Sequence, residues 1–194
     1  MNTLLRKIFL VLTGVCLILA ASAGWVLAQT YTAGTASVEP RVGLFGTSNK
    51  HVSSIWTYGG AAGYYIADNV ALELEGLGVY VNQTRPLWIT PGYLADLDRT
   101  GHGFNGNLNI RWHMLTTSQA SLYIGGGMGG LWTDTKVPYN GSEDSLTENC
   151  TIGGTLAITQ HMNVKGGFRY MHIGQFTDHG INAFGGDLGL NFTF

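Results

Sequence analysis

The stretch "FNGNLNIRWHML", Phe104 to Leu115, alternates between two kinds of residue. Phe104, Leu108, Ile110, Trp112 and Met114 fall on one face, and Asn105, Asn107, Asn109, Arg111 and His113 fall on the other. A period of two marks a β-strand, because successive side chains point to opposite sides of a sheet. Large apolar groups on one face and amides, a guanidinium and an imidazole on the other suit a barrel wall with lipid outside and a polar lumen inside. An open sheet would not serve there, since unpaired edge groups find no water in hydrocarbon.

Composition supports the same reading. Only 11% of the 194 residues are charged, against about 25% in soluble domains. Beyond residue 28 no apolar run approaches the roughly 18 residues of a transmembrane helix. The N-terminus itself has Arg6 and Lys7 followed by an apolar stretch from Ile8 to Ala23 and small residues at "ASA" and "VLA". That pattern predicts a secretory signal over 1–28, cut before Gln29, with an uncleaved anchor as the alternative. One domain, 29–194, remains.

Eight alternating segments follow, near 35–47, 54–66, 69–82, 102–115, 119–132, 145–159, 161–173 and 180–194. Short connections at "ADN", "TTSQ" and "TQH" alternate with longer ones at 48–53, 83–101, 133–144 and 174–179. Short periplasmic turns and long outer loops belong to an all-β, eight-stranded antiparallel transmembrane barrel of the bacterial outer membrane. The last segment, "DLGLNFTF", alternates to a terminal Phe194, like the assembly signal of such barrels. Trp112, Phe192 and Phe194 are expected in the periplasmic aromatic girdle, with Trp132 and Tyr170 in the outer one.

Several function classes are excluded. The mature chain keeps eight Lys and Arg against twelve Asp and Glu, a net charge of −4, and so offers no basic patch for nucleic acid. Cys150 is its only cysteine, which leaves no internal disulfide. No Cys/His cluster, HExxH motif or phosphate-binding loop is present, so neither metal nor cofactor is expected; "GGGMGG" at 125–130 lies in a strand pattern with no following helix. Parity sends Glu73, Glu75, Arg111, His113, Lys165, Arg169 and Asp187 into the lumen. An eight-stranded lumen is about filled by side chains, so these groups are expected to pair as a plug, not to line a pore.

The seventh and eighth segments carry the candidate site. On "GGFRYMHIG", Val164, Phe168, Tyr170 and His172 share the lipid side, while Asn163, Lys165 and Arg169 share the lumen side. Asn182 has the parity of Phe184, Leu188 and Leu190 and also faces lipid. Two polar groups facing outward at the outer end of adjacent strands are placed to meet an outer-leaflet lipid.

Four segments, "GGAAGYYIADNVALELEGLGVYVNQ", "GFNGNLNIRWHML", "GGFRYMHI" and the later "GIN", resemble the outer-membrane lipid A 3-O-deacylases and their acyloxyacyl hydrolase-like relatives. The resemblance implies an active site on the barrel's outer wall, acting on or binding lipid A of lipopolysaccharide. It implies a serine-hydrolase triad whose histidine corresponds to His172. The nucleophilic serine of the motif corresponds to Gly174, its asparagine to Gln175, and the orienting glutamate to Asn182, after Gly180-Ile181. Glycine has no side chain to attack an ester, so catalysis by that route is altered or lost. Asn182 retains an oxygen that can hold the imidazole. Thr177 is the substitute nucleophile to weigh, with His179 as a second base. A carboxylic-ester hydrolase acting through His172, Asn182 and Thr177 is thus one reading. The other is a non-enzymatic barrel with a structural or adhesion role through its outer loops, above all 83–101 with Trp88, Ile89 and Tyr93.

Overall fold

The computed structural model describes residues 31–90, 93–174 and 180–194, with backbone alone over 85–90 and 93–97. Eight antiparallel strands follow one another around a closed barrel. They are β1 (Ala36–Thr47), β2 (Val52–Ala67), β3 (Val70–Thr90), β4 (Tyr93–Thr116), β5 (Ala120–Val137), β6 (Ser142–Ala157), β7 (Met162–Gly174) and β8 (Ile181–Thr193). Closure is made by β1 against β8, from Ser37↔Thr193 to Thr47↔Ala183. The expected signal segment lies outside the described residues.

The expected strands are all present, but two expected loops are strand. Residues 83–90 and 93–101 form the top of a long hairpin, with β3 and β4 paired from Asn82↔Thr100 up to Trp88↔Leu94. Likewise β5 and β6 extend to a Val137↔Ser142 pair, which leaves little of the expected 133–144 loop. The reason is physical. Alternation is imposed by lipid on one face and lumen on the other; a hairpin that rises past the membrane has water on both faces, so its ladder continues while its pattern fades.

Inside the wall the lumen is layered. At the end bearing the short turns, the Tyr31 ring stacks on His113 with centroids 3.8 Å apart and on Tyr65 at 5.4 Å. His113 bonds Ser121 through Nδ1 at 2.8 Å and Tyr65 through Nε2 at 3.2 Å. The middle layer is ionic. Glu39 takes Arg41 at 2.7 Å, Lys165 at 2.8 Å and Arg111 at 3.2 Å. Glu75 takes Arg169 at 3.0 Å and also Arg41; Glu73 pairs with Arg111, and Asp187 with Arg169 at 3.1 Å. Glu39 and Arg41 join the expected set. Their signal was in the sequence, since they alternate with Val38, Val42 and Leu44 on β1.

The outer layer departs from the expectation of a polar lumen. Phe45, Ile55, Val79, Val81, Leu131, Met171, Ile173 and Ile181 are buried together there. An interior this narrow packs like a protein core, so polar groups persist only where they pair with one another. Four carboxylates meet four cations, and the cavity left between them is about 10 Å³, near the minimum for a single water. We expect planar-bilayer recordings of the purified protein to show no unitary conductance; discrete open steps in the intact chain would contradict this packing.

Candidate functional site

His172 lies two residues from the end of β7, between the buried Met171 and Ile173, and its ring is on the outer wall. Its register partner on β8 is Asn182. The Asn182 Oδ1 accepts a hydrogen bond from His172 Nδ1–H at 2.8 Å and another from the Tyr170 hydroxyl at 2.7 Å. The Asn182 carbonyl in turn accepts from the Ser48 backbone N–H at 3.0 Å, which ties the top of β8 to the β1–β2 turn. Below the site Tyr170 packs on Phe184 with centroids 5.1 Å apart. Tyr170 was expected only as a girdle residue, and it is here a third member of the site.

The bond to Asn182 sets the tautomer. With the proton on Nδ1, the Nε2 lone pair is free to accept, which is the state a general base requires. That nitrogen opens toward two glycines. A Cβ built on Gly174 would stand 3.5 Å from Nε2, and one on Gly180 would stand 2.5 Å from it. Asn182, His172 and position 174 therefore lie in sequence along the imidazole, with no side chain at position 174. Any side chain at 180 would strike the ring, so glycine there lets His172 keep its place. Gly174 has φ of +156°, a conformation side chains rarely adopt, and its Cβ would come within 2.7 Å of the Gly180 Cα.

Among the described residues no hydroxyl bonds Nε2. Thr177, Gln175 and His179 lie outside the described residues. No group of three His, Cys, Asp or Glu side chains capable of holding a metal occurs among the described residues. On the other flank of His172, across β6, stands Glu148, its register partner. Sequence reasoning missed this carboxylate. Its parity with Leu146, Cys150 and Ile152 on β6 placed it on the lipid side all along.

The outer wall carries the features of a membrane barrel. Trp56, Tyr58, Phe104 and Trp132 are exposed toward its outer end, and Trp112 and Phe194 toward the other. The chain resembles solved outer-membrane barrels over nearly their full lengths. The N-terminal β-barrel domain of Pseudomonas aeruginosa OprF is 18% identical, with 84% of this chain and 98% of that one covered and a TM-score of 0.57. OprG from Pseudomonas aeruginosa is 14% identical, with 86% and 99% covered and a TM-score of 0.58. Neisserial surface protein A is 16% identical, with 82% and 96% covered and a TM-score of 0.56. At such identities the likeness is one of fold. No functionally curated protein matches the chain. The family model for the outer membrane protein β-barrel domain matches residues 9–194. The chain belongs to that family, and it is a small eight-stranded barrel of the bacterial outer membrane.

Proposed function

We propose that the protein binds an outer-leaflet acylated lipid, lipid A of lipopolysaccharide, against its outer wall at His172, Asn182 and Tyr170, and does not cleave it. The observation that carries this reading is the imidazole held by Asn182 with its free nitrogen facing Gly174. Such a nitrogen accepts a hydrogen bond from a lipid hydroxyl or amide N–H, while among the described residues no hydroxyl bonds the nitrogen that would have to activate it. Polar groups on the lipid side are costly without partners, and a lipid head supplies one.

The test is retention of lipid A by the folded protein in detergent, read by native mass spectrometry. His172→Ala is expected to weaken retention by up to about tenfold, the share of one neutral hydrogen bond. Tyr170→Phe, which frees Asn182 from one of its two donors, is expected to weaken it less. Equal retention by wild type and His172→Ala would remove the site from this role.

A second reading has an observation of its own. The β3–β4 hairpin, with strands of 21 and 24 residues, stands beyond the rest of the wall, a form suited to contact with an external surface. Shortening the hairpin across 84–101 would abolish cell-surface attachment under that reading and leave lipid A retention intact.

A further inference from the structure

Beside the His172 site, among the described residues, the lipid-facing wall has a depression that combines a missing side chain with a charge. Gly126 on β5 forms its floor, and Leu72, Leu108, Ile110 and Met128 wall it. Its volume is about 410 Å³. Glu148 stands at its outer rim, because β5 runs outward from Gly126 to Met128 and Met128 is paired with Glu148. The register explains the shape: Ile110, Gly126 and Cys150 form one cross-strand row, and Leu108, Met128 and Glu148 form the next. A glycine flanked by two rows of larger side chains leaves a trough.

Glu148 is anomalous in two respects. Its carboxylate meets no hydrogen-bond donor or cation among the described residues. Among the described residues the wall around it supplies no fixed positive charge: its cross-strand partner His172 turns Nδ1 to Asn182, Lys165 and Arg169 of β7 are buried in the lumen, and Asp144, the next charged residue outward on β6, is of the same sign. An unpartnered carboxylate on a lipid-facing strand is unfavourable even near the interface. Charge complementarity therefore specifies what covers it.

We infer that this depression is a second lipid site, which takes one acyl chain over Gly126 and pairs the Glu148 carboxylate with the ammonium group of an amine-bearing lipid. The trough is apolar where the chain lies and anionic at its outer end, in the order a phospholipid presents tail and head. A lipid lacking N–H donors fills the trough equally well and leaves Glu148 unpaired. Selectivity thus resides in Glu148 and occupancy in Gly126. The site goes beyond the lipid A reading, since its trough over Gly126 lies one row inward of His172 and its selectivity is for an ammonium group.

The experiment compares phosphatidylethanolamine with phosphatidylcholine of identical chains, each added to the folded protein in detergent and read by native mass spectrometry. Folding of every variant is established first by heat-modifiable gel migration. Wild type is expected to retain the ethanolamine lipid about tenfold better, the effect of one charge-assisted hydrogen bond. Glu148→Gln is expected to remove that preference. Gly126→Leu, whose Cβ would meet only the Asn149 carbonyl at 3.1 Å, is expected to abolish retention of both lipids. Leu72→Trp fills the same trough from β3 and serves if Gly126→Leu does not fold. Lipid A retention by Gly126→Leu is measured alongside and is expected to be unchanged, so that failure here is separable from failure of the lipid A site. Equal retention of both lipids by wild type overturns the proposal. So does a dimer that disappears in Gly126→Leu, which would make the trough a contact between copies.

Discussion

Refolded wild-type protein incubated with lipid A is expected to release no more fatty acid than His172→Ala. In serine hydrolases loss of the nucleophile lowers turnover by on the order of 10⁶, and position 174 has no side chain. The imidazole is oriented all the same: Asn182 holds the proton on Nδ1, and Nε2 faces Gly174. Gly174→Ser alone is expected to stay inert. Its Cβ would lie at a suitable 3.5 Å from Nε2, yet it would also stand 2.7 Å from the Gly180 Cα, on a backbone with φ of +156°. The backbone at the end of β7 suits glycine, so a hydroxyl introduced at 174 is not expected to be aimed at an ester. Fatty acid released by wild type and not by His172→Ala, measured by mass spectrometry, would overturn this and make Thr177 the next residue to replace.

Glu75→Ala is expected to cost about 3–5 kcal/mol of stability, because removing one member of a buried ion pair strands its partners. Glu75 is fully buried and serves Arg41 and Arg169 together, with two oxygens on the Arg169 guanidinium at 3.0 Å each. The Asn107 amide also donates to it, at 2.9 Å. Without the carboxylate, Arg41 keeps Glu39 and Arg169 keeps Asp187, each pulled off balance in a lumen with almost no room for water. The measurement is urea unfolding of the barrel in lipid vesicles, followed by tryptophan fluorescence. The double variant Glu75→Ala with Arg169→Ala is expected to recover part of the loss, since it removes one stranded charge. A change below about 1 kcal/mol in Glu75→Ala would mean that water or rearrangement replaces the carboxylate, and that the ionic layer is less closed than its distances indicate.

Sequence by itself determined the wall. A strand between lipid and lumen must alternate, so Phe104 to Met114 on β4 and Val164 to His172 on β7 could be assigned a face residue by residue. The strand number, the polar mid-lumen and the outward direction of His172 and Asn182 all follow from that one periodicity. Where the environment stops differing between faces, the signal stops too. The tops of β3 and β4 read as a loop because water lies on both sides, and the apolar outer lumen read as polar because packing, not lipid, selects Phe45, Ile55 and Ile173.

Only the tertiary structure decided which residues meet. Parity gives a face but not a neighbour; the register of β6 on β7 brings Glu148 to one side of His172, and that of β7 on β8 brings Asn182 to the other. Hydrogen-bond direction, the tautomer it imposes and the conformation of Gly174 depend on distances of a few tenths of an ångström. Such distances arise from closure of the barrel through strands far apart in the chain, and no local pattern encodes them.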